Sequence, residues 1–222
     1  MRKILLLEDQ GLVRAGMREL IQLAENDAQI VEVANCEGAM TQLLEHEFEF
    51  AFLDIDLRTK LDGRDVLRFI RDHEISVRAV MLSGFSSKDL VLECLNLGAI
   101  GFISKDIEND QVFKNVLDTF FQGGIFVPLS RSGDHIELTT HVTVSESMLP
   151  EQLGISGRTL EVLVYVCQGY ANKVIAKKMN IEEGTIRKDY VPKLFRIFKV
   201  TRRTELLIEV SRLGIRLPKI AV

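Results

Sequence analysis

Apolar and polar positions alternate in blocks along the first 121 residues. Residues 4–7 form a short unbroken apolar run, the length and kind of a buried strand. Leu12, Val13, Gly16, Met17, Leu20, Ile21 and Ala24 follow at the three- and four-residue spacing of an amphipathic helix. The same pair of signals recurs four more times. Strands are expected over 30–34, 48–53, 79–82 and 101–104, and helices over 37–44, 63–71, 87–97 and 110–121. Five such units in succession imply an α/β fold, a five-stranded parallel doubly wound sheet with right-handed crossovers and helices on both faces.

The pattern breaks over 122–153. Gly123, Gly124, Pro128, Gly133 and Pro150 fall there among many Ser and Thr, which predicts a linker with one short strand over 136–144. From residue 154 the chain reads as helix alone. Ser156 is placed to cap a helix that Gly169 stops, and a second covers 172–179. A short break over 180–184 leads to a third helix starting near Thr185, and a fourth runs from 203 to 213. Two short helices joined by a tight turn form a helix-turn-helix unit. Three regions follow: 1–121, a linker over 122–153, and an all-α four-helix region over 154–222.

Composition narrows the class. Hydrophobic content of 46% and charged content of 27% are ordinary for a globular protein. No apolar run approaches the ~18 residues of a membrane helix. Arg2-Lys3 before an apolar run has the order of a signal peptide, but Glu8-Asp9 ends that run far too early. A cytoplasmic protein without membrane contact is expected. Cys36, Cys94 and Cys167 are odd in number and widely spaced, as reduced buried thiols are. His135 and His141, in the linker, have no metal-ligand spacing. Residues 151–222 carry 14 Lys and Arg against 7 Asp and Glu, whereas residues 1–150 carry 14 against 25. An acidic front and a basic back suit different partners, and the basic part is a candidate for nucleic acid.

Four of the predicted strands end in chemistry: Glu8-Asp9 after the first, Asp54 after the third, Ser83 after the fourth, Lys105 after the fifth. In a parallel α/β sheet ligands gather at the carboxyl ends of the strands, so these side chains are delivered to one edge. An aspartate attacks a phosphoryl group competently when the negative charge is neutralised. Carboxylates of Glu8, Asp9 and Asp54 suit Mg²⁺, Lys105 adds a fixed positive charge, and Ser83 offers a hydroxyl to a phosphoryl oxygen. Gly84 leaves the approach open.

With these residues in order, 1–121 resembles the receiver domain of two-component response regulators. The run from Leu160 through Gly169, Asn172, Lys173, Ile175, Ala176, Ile181, Gly184, Thr185, Ile186 and Arg187 resembles the LuxR-type helix-turn-helix. Together they resemble a NarL/FixJ-type response regulator. The resemblance implies Asp54 as phosphoacceptor, Asp9 as a direct metal ligand with Glu8 as its helper, and the Asp56 backbone carbonyl in the metal shell. It implies Ser83 as hydroxyl switch, Phe102 as aromatic switch or simple core, and Lys105 as the phosphoryl-stabilising lysine. In the second module it implies a recognition helix from Thr185, with Arg187, Lys188 and Lys193 facing DNA and Lys173 and Thr185 near phosphates. Implied partners are a sensor histidine kinase, double-stranded DNA, a second copy of the chain once phosphorylated, and RNA polymerase. The chain would then be a phosphorylation-controlled transcriptional regulator, or else a receiver-based adaptor acting through protein contacts, and in neither case a dedicated enzyme.

Asp54-Ile-Asp56 also resembles the DxD of haloacid-dehalogenase-type phosphatases. That family wants Thr or Val where Arg58 stands and places its acidic pair after the lysine, so residue order decides against it. Two departures from the response-regulator pattern stand out. The loop after Asp54, over 56–63, lacks the usual proline and is one residue longer than the pattern, which bears on its shape and on docking. Pro192 and one extra residue fall within the recognition helix, where a proline costs roughly 3 kcal/mol unless a kink absorbs it. A bent or shortened helix is expected.

Overall fold

The structure is a computed structural model and describes residues 1–106, 110–132, 135–138 and 148–218. Strands β1 (Lys3–Leu7), β2 (Gln29–Val33), β3 (Phe50–Asp54), β4 (Arg78–Ser83) and β5 (Gly101–Ser104) form one parallel sheet in the order β2-β1-β3-β4-β5. Helices α1 (Gly11–Ala24), α2 (Cys36–Glu45), α3 (Gly63–Asp72), α4 (Lys88–Leu97) and α5 (Asp110–Phe121) connect and cover it. The inner strands are apolar between their ends because helices lie on both faces. Ile4, Leu5, Leu6, Leu7, Phe50, Phe52, Leu53 and Met81 have no solvent exposure.

Strand β3 begins two residues later than its apolar run suggests. Phe48 lies before the ladder, buried, with Lys3 Nζ 5.1 Å from its ring centre. The shift puts Asp54 inside the strand as its last residue. Helix α3 is pinned by a reciprocal cap: Asp62 accepts from the Arg64 N–H, and its own N–H donates to Asp65 Oδ2 at 3.0 Å. Its first residue, Gly63, lies against the end of β3. A Cβ there would stand 2.5 Å from the Asp54 carbonyl oxygen.

The linker is less open than its composition suggests. Phe126 makes a parallel bridge to Gly101, and the Phe102 N–H donates to the Phe126 carbonyl at 3.1 Å, so the chain covers the β5 edge. A hairpin follows, β6 (Leu129–Ser132) paired with β7 (His135–Leu138). The strand expected over 136–144 therefore corresponds to β7 only as far as Leu138. Its remainder, with His141, lies outside the described residues. Cys36, Cys94 and Cys167 are free and buried.

The second module comprises a short 3₁₀ turn (Pro150–Leu153), α6 (Gly157–Cys167), α7 (Asn172–Met179), a composite third helix and α10 (Arg203–Arg212). Ser156 holds the N-cap position of α6, but its side chain makes no capping bond. The composite helix runs as α8 (Glu183–Thr185), a π-helical turn (Ile186–Tyr190) and α9 (Val191–Phe198). It runs without a break to Phe198, so of the bent or shortened helix expected it is not the shortened one. The Val191 N–H reaches back five residues to the Ile186 carbonyl, so the extra residue is taken up as one wide turn. Pro192 then falls in the first turn of α9, where a missing N–H costs little.

The close approach at Gly63 sets a test. Gly63→Ala should lower the unfolding free energy by about 1–3 kcal/mol through overpacking against backbone. Gly16→Ala, in α1 with nothing within 4 Å of the new methyl, should raise it by about 0.4–1 kcal/mol. Urea unfolding of the two variants beside the wild type reads both.

Candidate functional site

Parallel register brings the strand ends together. Asp54 pairs with Leu82 in the β3–β4 ladder, one residue short of Ser83, and Leu7, next to Glu8, pairs with Leu53. Lys105 Nζ sits 2.6 Å from both Glu8 Oε2 and Asp54 Oδ1. Glu8 and Asp54 have no solvent exposure. Glu8 is fixed further by the Gln10 N–H on Oε1, and its carbonyl accepts from Arg14 Nη1 at 2.7 Å. Asp54 Oδ1 also accepts from the Asp56 N–H at 3.1 Å. The proline-free loop folds back over the site, where the Arg58 N–H donates to Asp9 Oδ2 at 3.2 Å. Arg14 and the Arg58 amide escaped the sequence reading, since one acts outside any strand end and the other through backbone.

Ligand oxygens of Glu8, Asp9 and Asp54 lie within 4.8 Å of one another. Both Glu8 oxygens are already engaged. Asp9 Oδ1 and Asp54 Oδ2 are buried and have no partner. A buried carboxylate oxygen without a donor costs free energy, and two facing one cluster fit a hard divalent cation with oxygen ligands. The acidic pocket thus has the composition receiver domains use for Mg²⁺, with Asp9 and Asp54 offering free oxygens and Glu8 in support.

Burial raises the Asp54 carboxyl to about 6, against the opposing pull of Lys105 and the Asp56 amide. Burial also acts to lower Lys105, but its hydrogen bonds to Asp54 and Glu8 prevail and its ammonium form is favoured. Ser83 is buried, and its hydroxyl lies 3.2 and 3.0 Å from the two Asp56 carboxylate oxygens and 2.6 Å from the Phe85 carbonyl. A Cβ on Gly84 would meet only Asp56 Oδ2, at 3.5 Å. Its backbone N–H donates to that same oxygen. Phe102 is fully buried, inside the core.

In the helical module Ile175, Ala176, Ile186 and Leu194 form the small core. Asn180 ends α7 in the left-handed conformation at φ 52°, making the tight turn into the composite helix. Arg187 and Lys188 are exposed on the π turn. Lys193 reaches back instead to Thr159 Oγ1 at 3.2 Å, and Thr185 is half-buried with its N–H on the Glu182 carbonyl. Lys173 forms an ion pair with Glu74 of the first module at 2.8 Å. Beside it, the Tyr170 and Ser76 hydroxyls are hydrogen-bonded. Leu206, Leu207 and Val210 of α10 are buried, and the Ser211 hydroxyl accepts the Val127 N–H at 3.0 Å.

Residues 4–117 match the family described as "Response regulator receiver domain", and residues 153–210 match "Bacterial regulatory proteins, luxR family". The chain is a NarL/FixJ-type response regulator. Among its relatives, the Bacillus subtilis (strain 168) "Transcriptional regulatory protein LnrK" is 30% identical over 220 residues, 97% of this chain and 99% of that one. The Escherichia coli (strain K12) "Nitrate/nitrite response regulator protein NarL" is 24% identical, over 94% of each chain. A solved structure of the Salmonella typhimurium RcsB response regulator superposes with a TM-score of 0.51 at 19% identity, over 95% of this chain and 98% of that one, which supports the fold alone. This response regulator is therefore a phosphorylation-controlled, DNA-binding transcriptional regulator and not a dedicated enzyme; the adaptor alternative is not favoured. Its two domains imply a kinase and DNA as partners. Among the described residues no helix is long and apolar enough to cross a membrane.

The raised Asp54 carboxyl sets a pH test. Its folded value, about 6, lies above the ordinary carboxylate value. Its contribution to stability is therefore fully present below the unfolded value and is lost as pH rises through the folded one. Asp54→Asn, neutral throughout, should outstabilise the wild type by on the order of 1–3 kcal/mol at about pH 8. The gap should close near about pH 4. Urea midpoints at both pH values check it, and an equal gap at both would contradict it.

Proposed function

We propose that this response regulator is a cytoplasmic protein and that its Asp54 is the residue that accepts the phosphoryl group, from a sensor histidine kinase. The observation that carries the reading is the unpartnered Asp54 Oδ2, buried at a strand end beside Lys105 and the acidic cluster. Bound Mg²⁺ would neutralise charge on the incoming phosphate, held by Asp9 and Asp54, the Asp56 carbonyl, and Glu8 in support. Lys105 holds the Asp54 carboxylate by ion pair and remains to meet the phosphoryl oxygens. Ser83 and the Gly84 N–H offer the neighbouring donors.

Phosphorylation adds about −1.5 to −2 charges at this one point. Movement of Ser83 and Lys105 toward that charge reshapes the end of the sheet, with Phe102 as the aromatic switch, a two-state response to local charge. Lys173, tied here to Glu74, and α10, buried here, become available when the helical module leaves the receiver domain. A dimer then binds two DNA half-sites and engages RNA polymerase. Arg187 and Lys188, exposed on the π turn, face the major groove, and Lys173, Thr185 and Lys193 complete the contact.

Incubation with acetyl phosphate and Mg²⁺, followed by intact mass, should show a phosphoryl adduct on the wild type and none on Asp54→Asn. The adduct should strengthen promoter binding, and affinity should fall with salt on a log–log slope near −0.9Z for Z phosphate contacts. Arg187→Ala and Lys188→Ala should each weaken binding. A base contact would cost about 1–3 kcal/mol and relax specificity, whereas a phosphate contact would reduce the salt slope by about 1.

A further inference from the structure

The side chain of Asp56 has no part in the scheme above, which uses only its backbone. Yet its carboxylate is held by the very donors a phosphoryl group on Asp54 needs. Asp56 Oδ2 accepts the Gly84 N–H, and both its oxygens lie within 3.2 Å of the Ser83 hydroxyl. That hydroxyl has one proton to share with the Phe85 carbonyl, so the Gly84 amide is the bond given to Asp56 alone. The Asp56 N–H meanwhile holds Asp54 Oδ1, so one residue touches both acceptor and cradle.

A carboxylate presents two negatively charged oxygens about as far apart as two oxygens of a phosphoryl group. Anions of both kinds take backbone N–H and hydroxyl donors by the same charge-assisted bonds. We propose that the Asp56 carboxylate is an internal competitor of the phosphoryl group, occupying the Ser83 and Gly84 donors until the Asp54 adduct displaces it. It is a positioning residue. It sets how readily the site loads, and it keeps Ser83 turned from Asp54 in the unphosphorylated protein. The proposal rests on the reading of Asp54 as phosphoacceptor.

The test follows the transfer directly. An Asp54 carboxylate oxygen bonds to the phosphorus of acetyl phosphate while the phosphorus–oxygen bond to acetate breaks, its electron pair leaving with acetate. Intact mass against time gives the rate in the full-length protein with Mg²⁺. Asp56→Ala and Asp56→Asn should both load faster, by about 3- to 10-fold, the scale of one net hydrogen bond. In a Ser83→Ala background the gain should shrink, because one of the contested donors is gone. Calorimetric titration with Mg²⁺ alone should give the same affinity for wild type and Asp56→Asn. Equal or slower loading in both Asp56 variants would overturn the proposal. Slower loading with weaker Mg²⁺ binding would instead assign the carboxylate to the metal. No adduct on any form, wild type included, would overturn the phosphoacceptor reading and this proposal together.

Discussion

Three carboxylates, Glu8, Asp9 and Asp54, share one edge of the sheet with a single ammonium group between two of them. Two like charges at such separations cost on the order of several kcal/mol at the effective dielectric of a protein. The strand ladders hold them there regardless, because β1 and β3 are neighbours whose burial fixes where their ends lie. The rest follows from that imposed crowding. Asp54 is pushed upward, Lys105 is held charged, and two carboxylate oxygens are left without donors. Such a site gains from any cation that enters. Glu8, with both oxygens engaged inside the protein, fixes Lys105 and leaves the unpartnered oxygens to Asp9 and Asp54.

The second constraint is the covered edge of β5. In an open sheet that edge would expose unpaired backbone. Here the segment around Phe126 satisfies it, and the following residue donates to Ser211 of α10. Only Phe126 and Val127 thus separate the backbone of Phe102 from the last helix of the DNA-binding module. Buried arginines complete the packing. Arg78 caps the end of α5 through the Phe120 and Gly124 carbonyls, and Arg203 joins the Val166 and Tyr170 carbonyls. Burial pulls both down to about 10. Burying two guanidinium groups is costly, so they act as geometric pins on chain ends that any movement of the module must respect.

What was legible in the sequence had local causes. Apolar runs marked the five strands because parallel strands covered on both faces need no alternation. Asp54, Glu8, Asp9, Ser83 and Lys105 were legible because a strand end is a position a run of residues defines. The contents of the linker were not, because the pairing of Phe126 with Gly101 depends on a free sheet edge built by distant residues. Ser156 shows the opposite failure. Its type and position suit a cap, yet the first turn of α6 is left without its side chain. The role of the Asp56 side chain was equally invisible, since it depends on Ser83 and Gly84 approaching from the next strand. Lys193 was read as facing DNA, and Lys173 as lying near phosphates, from their place in a motif. Their partners here, Glu74 and Thr159, come from other elements, and motif spacing carries no information about those.

The third helix shows how an insertion can be absorbed without loss of either end. Ile186 and Leu194 are both fully buried, eight residues apart. In a regular α-helix eight residues turn roughly 80° past a whole number of turns, which would carry one of them off the core. A seven-residue spacing would come within about 20° of alignment. One wide π turn takes up the extra residue, so both anchors and Phe198 keep their inward direction. The displacement is confined to the outward side, where Arg187 and Lys188 stand. Pro192 is compatible with this only because it falls where a helical stretch restarts. The composite helix therefore keeps the packing of its module while shifting Arg187 and Lys188, the two side chains proposed above to meet DNA, so base preferences read from a relative with an unbroken α-helix do not carry over to these positions.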